Sequence, residues 1–433
     1  MSVQVASPES ASVSSQVLAA TEKRGWLRSP VFWLVVLAFA VRIAFMLGAR
    51  TYLFEAYRYD EYSYHNEATN IARSIAEGRG FSSPFSADYT GPTAWIAPVY
   101  PYLVAFFFRL FGEFSTNAAI ALMLLQSAFS ALTCVPIVAI GDRCAGRRAG
   151  SIAALLWAVF PWFSKWAVCW IWEVSLSALL FTVLFWCALR LADGASRKMW
   201  LGYGALWGFA LLVNPALLTL LPASLIWCAY KLRKGWLRHT VAAGIVCLVV
   251  ISPWLVRNRI VFGHWAFLRG NFGFEFWLGN ARYATPRGWV KQHPMGNPEQ
   301  LALYRTMGEP AFVQAKLEDA LSAVRENPGK FMRTSLDRVG YFWDGSAMGY
   351  RPRVAWFWLP GSFAVLSFLL LPSMLAAILR RMYAWPLFFG ALLLYPVPYY
   401  LTFSQVRYRH ALEPLMLVLL CCLIPKSWVD PQQ

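Results

Sequence analysis

Long apolar runs separated by short basic loops decide what this chain can fold into. Near residues 31–48, 118–140, 149–163, 174–192, 200–213, 216–230, 240–256, 354–378, 386–402 and 411–425 the sequence is overwhelmingly apolar. Several of these runs approach or exceed the roughly 20 apolar residues that carry a helix across a hydrocarbon core. Only 14% of the 433 residues are charged and 58% are hydrophobic, whereas a soluble chain is nearer about 25% charged. The expectation is an all-α polytopic membrane protein with about ten transmembrane helices. The net charge of +17 does not point to nucleic acid, because the basic residues sit in short clusters between apolar runs. That is the pattern of membrane orientation signals and phosphate contacts. Six of the eight cysteines (Cys134, Cys187, Cys228, Cys247, Cys421 and Cys422) fall inside apolar runs, which argues against a disulfide framework.

The loops set the orientation. Lys23/Arg24/Arg28, Arg143/Arg147/Arg148, Arg190/Arg197/Lys198, Lys231/Arg233/Lys234/Arg238 and Arg380/Arg381 all fall on one side of the ten-span arrangement. Short loops rich in Lys and Arg stay in the cytoplasm, so residues 49–117 and 257–353 are expected outside. Four regions follow: a disordered cytoplasmic N-terminus (1–30), a transmembrane module (31–256) carrying the first outer loop (49–117), an outer helical segment (257–353), and C-terminal transmembrane helices (354–433). The first apolar run follows Lys23, Arg24 and Arg28 and reads as an uncleaved anchor. Pro98 to Gly112 opens with two prolines and contains Arg109, which suits a juxtamembrane helix at the outer interface better than a span. Asn214-Pro215 joins two short apolar halves, either one kinked helix or two. Residues 297–343 carry helical apolar stripes, and Asn327-Pro328 is a good helix start, with Asn as cap and Pro in the first turn. About three amphipathic helices are expected there.

The chemistry-bearing residues gather at the expected outer face. Asp60 and Glu61 lie between tyrosines in the first outer loop; a carboxylate there can take a proton from an attacking hydroxyl, worth about 10²–10⁴ in rate. Adjacent acids point in different directions, so a division of roles is expected, one as base and one holding substrate or a divalent cation. Lys165, Arg257 and the Arg407/Arg409 pair place cations in three outer loops, where Arg binds phosphate through a planar fork and Lys as a point charge. Contact with lipid headgroups is the ordinary alternative for each. Glu173 starts the fourth span, and Arg42 lies within the first, facing either a polar interior or the interface. The five histidines show no metal-ligand spacing, and no phosphate-loop, dinucleotide or nucleophile-elbow pattern occurs.

Four stretches carry a family resemblance. They are Asp60-Glu61-Tyr62-Ser63-Tyr64-His65-Asn66-Glu67-Ala68 continuing through Ala76-Glu77-Gly78-Arg79-Gly80-Phe81; Pro98-Val99-Tyr100-Pro101 through Leu110-Phe111-Gly112; Ser252-Pro253-Trp254-Leu255-Val256-Arg257-Asn258 with Phe276-Trp277-Leu278-Gly279-Asn280; and Arg407-Tyr408-Arg409-His410-Ala411-Leu412-Glu413-Pro414. In this order they resemble the GT-C superfamily of polytopic, lipid-dependent glycosyltransferases. The likeness is to the bacterial branch with protein O-mannosyltransferases and lipid A aminoarabinose transferases. The resemblance implies a GT-C-like fold with juxtamembrane helices and a small helical outer domain. It implies inverting transfer of a sugar from a polyprenyl-phosphate donor, in a bacterial inner membrane, with the active site on the periplasmic side. By position Asp60 matches the catalytic aspartate, Glu61 its acidic partner, and Glu173 an acid of the second outer loop. Arg257, Arg407, Arg409 and Lys165 would contact the donor phosphate, while Tyr64, Tyr100, Asn280 and Tyr408 would join Glu173 in binding substrate. No obligatory cofactor is implied, and a divalent metal at Asp60/Glu61 stays open.

An outward-facing active site needs a donor already carried across, since nucleotide sugars are cytosolic. The acceptor is a lipid, glycan or protein; the small outer domain lacks the extra sugar-binding domain of eukaryotic mannosyltransferases, which leaves a protein acceptor in doubt. Two other functions remain open at this point, a lipid or glycan flippase and an outer-face glycan ligase or polymerase. A flippase should show inverted repeats and paired broken helices; the Asn214-Pro215 break is the one feature favouring it.

Overall fold

Proline, glycine and one buried arginine shape the helical framework. The computed structural model describes residues 29–54, 64–146, 148–285, 288, 290–345 and 360–429. The N-terminal stretch before Ser29 and the Asp60/Glu61 pair lie outside the described residues.

Helix α1 (Pro30–Ala49) is followed by a segment that holds α2 (Glu67–Ala76) and α3 (Val99–Phe111). Helices α4 (Thr116–Leu132) and α5 (Cys134–Cys144) run on almost continuously, and α6 (Ala149–Val159) bends by 55° into α7 (Pro161–Val168). Then come α8 (Val174–Leu191), α9 (Arg197–Val213), α10 (Leu220–Leu232) and α11 (Trp236–Phe262). The segment after α11 contains α12 (Phe272–Asn280), α13 (Pro298–Met307), α14 (Glu309–Glu326) and α15 (Pro328–Asp344). The chain returns through α16 (Pro360–Leu379), α17 (Trp385–Leu394), α18 (Val397–Leu401) and α19 (Glu413–Leu420). No strand forms among the described residues; Ser82 and Pro92 make an isolated bridge.

Each of the ten apolar runs contains helix, but among the described residues five helices are long and apolar enough to cross a membrane unaided: Pro30–Ala49, Thr116–Cys144, Val174–Leu191, Pro215–Leu232 and Trp236–Phe262. The bent pair α6–α7 makes a sixth if it counts as one span. Prolines account for much of the shortening. Pro161 interrupts one run, Pro396 and Pro398 another, and at Pro215 a 3-10 turn (Pro215–Thr219) separates α9 from α10. That turn is fixed by the Asn214 side chain, which accepts from the Ala216 N–H at 3.0 Å, so residues 200–230 form two helices.

Arg42 turns inward. Its guanidinium donates to Ser130 Oγ (2.9 Å) and to the carbonyls of Ala38 (2.9 Å), Ala158 (3.2 Å) and Trp157 (3.1 Å). The Trp157 carbonyl would normally accept from residue 161, but that residue is proline and has no N–H. Arg42 thus satisfies carbonyls that the α6–α7 break leaves open, and it is fully buried. Close helix approach elsewhere rests on small residues: Gly204 of α9 lies against the Ala243 backbone of α11, and Gly141 of α5 against Gly150 of α6.

The segment holding α2 and α3 packs against the one holding α12 to α15. Asn327 accepts from Lys330 N–H at 2.9 Å and starts α15 at Pro328, as its sequence suggests. Glu309, buried at the start of α14, accepts from Ala94 N–H (2.7 Å), Tyr304 OH (2.9 Å) and Thr93 Oγ1. Arg257, near the end of α11, donates to the carbonyls of Thr93 (2.7 Å) and Phe81 (2.9 Å). The α2–α3 segment is thereby fastened to both α11 and the α12–α15 segment.

Candidate functional site

A cavity of about 570 Å³ opens where the start of α2 and the segment around α12 meet the loops before α8, α10 and α19. Ligand pockets usually measure about 300–1,000 Å³. Its first wall is the start of α2. Asn66 caps that helix, accepting from Thr69 N–H at 3.1 Å while its amide donates to the Ile171 carbonyl at 3.1 Å. The α2 terminus is thereby tied to the loop that carries Trp170, Trp172 and Glu173. Gln126 of α4 holds that loop from beneath: its amide donates to the carbonyls of Ala167 (3.0 Å) and Trp170 (2.9 Å), and its oxygen accepts from Trp172 N–H (3.0 Å) and Tyr100 OH.

Two guanidinium groups face this space. Arg407 is walled by aromatic rings, 4.9 Å from the Trp170 centroid and 5.3 Å from those of Trp172 and Tyr408. It makes no ion pair with a carboxylate among the described residues. Arg269 is anchored on its far side, its Nε donating to the Trp95 carbonyl (3.1 Å) and one Nη to Glu275 (3.1 Å). Asn271 donates to the same Glu275 oxygen at 2.6 Å. Tyr399 stacks on Tyr408 at 4.3 Å and completes an aromatic wall.

Three carboxyl groups share the cavity in unlike surroundings. Burial pushes the Glu173 carboxyl up to about 7, against the pull of Arg269 and Arg407. Burial likewise raises Glu275, partly offset by Arg269. Burial also acts on Glu67, but the hydrogen bond with His293, the backbone at the α2 start and Arg407 outweigh it, leaving Glu67 below the ordinary carboxylate value. His293 Nε2 lies 3.2 Å from Glu67 Oε1.

The sequence candidates divide sharply. Glu173, Arg407 and Tyr408 line the cavity. Arg409, two residues on, points the other way: it is fully buried and ion-paired with Glu413 at 3.2 Å. It also donates to the carbonyls of Trp343 (3.2 Å) and Phe363 (3.0 Å) and to Ser367 Oγ. Arg257 spends its guanidinium on loop carbonyls and stacks on Trp254 at 4.8 Å, away from the cavity. Lys165 lies over the rings of Trp162 and Trp166, at 5.5 and 5.0 Å, and does not line it. Tyr64 is buried against Phe54 and donates to the Ser115 carbonyl at 3.1 Å; Tyr100 is committed to Gln126. Asn280 accepts from Arg338 (3.1 Å), donates to the Leu401 carbonyl (2.8 Å), and borders a separate cavity of about 260 Å³. Asp60 and Glu61 lie outside the described residues, and among those described no cluster of three His, Cys, Asp or Glu side chains could hold a metal ion.

Sequence reasoning missed Glu67, Arg269, Glu275 and His293. Arg269 and Glu275 stand six apart in an otherwise apolar, aromatic stretch, a signal that was present. Glu67 and His293 meet only through the fold.

Residues 95–256 match the family model described as dolichyl-phosphate-mannose-protein mannosyltransferase. No curated protein matches this chain. Among solved structures, the chain is similar to the oligosaccharyltransferase AglB from Archaeoglobus fulgidus in complex with an inhibitory peptide and a dolichol-phosphate. The TM-score is 0.51 at 13% identity, covering 92% of this chain and 50% of that one. The apo form of the Archaeoglobus fulgidus enzyme gives a TM-score of 0.50 at 13% identity, covering 92% and 51%. ArnT from Cupriavidus metallidurans bound to undecaprenyl phosphate gives 0.41 at 15% identity, covering 92% and 78%. The chain spans about half the length of the archaeal structures it matches.

Proposed function

We propose that this chain is a GT-C-like membrane glycosyltransferase that moves a sugar from a polyprenyl-phosphate donor to an acceptor hydroxyl, a reading supported by its match to the mannosyltransferase family model over residues 95–256 and by its fold similarity to AglB. The observation that carries this reading is Arg407: a guanidinium walled by aromatic rings, without a carboxylate partner among the described residues, lining together with Arg269 a cavity of about 570 Å³. Two such groups suit one phosphate, and the aromatic wall suits sugar faces and the first prenyl units. The dolichol-phosphate named with AglB and the undecaprenyl phosphate named with ArnT are lipid phosphates of this class.

In the proposed reaction the acceptor hydroxyl attacks the anomeric carbon from the face opposite the phosphate. The bond between that carbon and the phosphate oxygen breaks, its electron pair stays on the phosphate, and the configuration inverts. Arg407 and Arg269 stabilise the departing polyprenyl phosphate, the kind of electrostatic contribution that is often the largest in catalysis. Asp60 takes the hydroxyl proton, with Glu61 beside it. Asp60 stands six positions before Asn66 in the sequence, and Asn66 lines the cavity. The site belongs on the periplasmic face of a bacterial inner membrane, and the acceptor is a lipid, glycan or protein hydroxyl.

Incubating the purified protein with labelled polyprenyl-phosphate sugars and an envelope extract should release free polyprenyl phosphate. Asp60→Asn should lower that release by about 10²–10⁴ while leaving donor binding intact. Near-normal turnover in this variant removes Asp60 from the mechanism, and absence of release in the wild type favours a flippase or a pyrophosphate-dependent ligase. No obligatory cofactor is required by this scheme. A divalent ion at Asp60 and Glu61 would show itself as turnover lost on chelation and restored by added metal.

A further inference from the structure

Glu67 is a cavity carboxylate that the phosphate-binding scheme leaves unused, and its surroundings define a task for it. It occupies the first position of α2, directly after the Asn66 cap, where backbone N–H groups favour negative charge. Its partner His293 comes from the connection between α12 and α13 and lines the same cavity. Met295 N–H donates to His293 Nδ1 at 3.3 Å. With Nδ1 occupied as an acceptor, a neutral imidazole carries its proton on Nε2, which then points at Glu67 Oε1 across 3.2 Å. This arrangement holds the carboxylate ionised and fixed in orientation. Such a group is a poor proton acceptor in the reaction but a permanent hydrogen-bond acceptor.

An ionised carboxylate offers about four lone-pair sites. His293 and the backbone at the α2 start account for two kinds of donor, so capacity remains on the cavity side. The groups that could compete for it are charged: Arg407 attracts Glu67 from across the cavity, but its guanidinium lies among Trp170, Trp172 and Tyr408 outside ion-pair distance of Glu67. Arg269 is held by Glu275 and Trp95. A ligand bearing hydroxyl groups would fill the remaining sites.

We propose that Glu67, oriented by His293, accepts a hydrogen bond from a ring hydroxyl of the donor's sugar and so reads the sugar, while Arg407 and Arg269 read the phosphate. The proposal rests on the glycosyl-transfer reading above, and it assigns Glu67 to substrate and His293 to positioning.

Binding of short-chain polyprenyl phosphate, bare or carrying mannose, glucose or galactose, separates the two subsites. Wild type should bind one sugar-bearing form more tightly than the bare lipid phosphate. Glu67→Gln should remove most of that sugar-dependent gain, roughly ten- to a hundredfold for a charge-assisted bond, and leave bare lipid phosphate binding within about twofold. His293→Ala should lose part of the gain and raise KM for the donor more than it lowers kcat, and His293→Gln, which can still donate to Glu67, should recover it. Equal loss of bare and sugar-bearing ligand in Glu67→Gln would instead mean that Glu67 supports the guanidinium groups, and would overturn the proposal. So would a wild type that binds every sugar-bearing form no better than bare phosphate. A wild type that binds neither form removes the phosphate reading itself, a distinguishable result.

Discussion

Arg407 and Arg409 are two residues apart in one 3-10 turn, yet their loss should be felt in different measurements. Arg409 and Glu413 are each fully buried, and their pair is reinforced by His410 Nδ1 (2.7 Å) and Trp162 Nε1 (2.9 Å) on Glu413. Replacing Arg409 by Met leaves that carboxylate in the interior with two neutral or weakly charged donors, and frees the Trp343 and Phe363 carbonyls. Removing one partner of a buried pair costs about 3–5 kcal/mol. Arg407 has no carboxylate to abandon among the described residues, so Arg407→Met should change stability by less than about 1 kcal/mol. Its cost falls on the ligand: loss of charge-assisted bonds to phosphate, about 1.5–3 kcal/mol, is roughly 10- to 150-fold in donor affinity. Thermal unfolding in detergent, followed by tryptophan fluorescence, reads the first effect, and binding of a polyprenyl-phosphate sugar reads the second. Adding Glu413→Leu to Arg409→Met should cost less than the two single changes summed, because it removes the stranded charge. An Arg409→Met protein of normal stability and lost donor affinity would refute the reasoning and make Arg409 a phosphate ligand after all.

Glu173, with its carboxyl at about 7, is protonated below that pH and ionised above it. Affinity for a phosphodiester donor, whose single charge is constant, should therefore weaken as pH rises through about 7; Glu173→Gln should abolish the step and keep the tight acid-side affinity at pH 8. At Gly204 a Cβ would overlap the Ala243 carbonyl, whereas at Gly202 it meets open space. Gly204→Ala should thus lower the melting temperature, while Gly202→Ala raises stability by about 0.5–1 kcal/mol through helix propensity. Asn66→Ala removes both the α2 cap and the donor to Ile171; about 1–2 kcal/mol of local stability should be lost, visible as faster amide exchange in residues 67–70. Glu309→Ala strands the Ala94 N–H and the hydroxyls of Thr93 and Tyr304. At about 1–3 kcal/mol for a stranded buried donor, the chain should become sensitive to limited proteolysis near residue 94.

What was readable in the sequence is what local physics determines. The apolar runs predict helices wherever they occur, and Asn327-Pro328 marks a helix start because cap and proline act within one turn. Span lengths were less legible, since Pro161 and Pro215 bend or interrupt runs that composition alone joins. The same contrast governs the site. Placing cations near Arg407 needed only the loop position, but a 3-10 helix turns by three residues, so Arg409 emerges on another face and meets Glu413 one helical turn later. That pairing was written in the i, i+4 spacing of Arg409 and Glu413. Nothing local announces Glu67 with His293, or Arg269 beneath Trp95, because those partners are separated by much of the chain. Their charges nevertheless decide how the cavity can act. Glu275 offsets Arg269, and His293 holds Glu67 ionised, so Arg407 is the cavity cation without an ion-pair partner among the described residues. Glu173 opposes Arg407 only when ionised, and burial delays that ionisation to about neutrality. On the proposed function, an anionic lipid would therefore be held best while Glu173 keeps its proton.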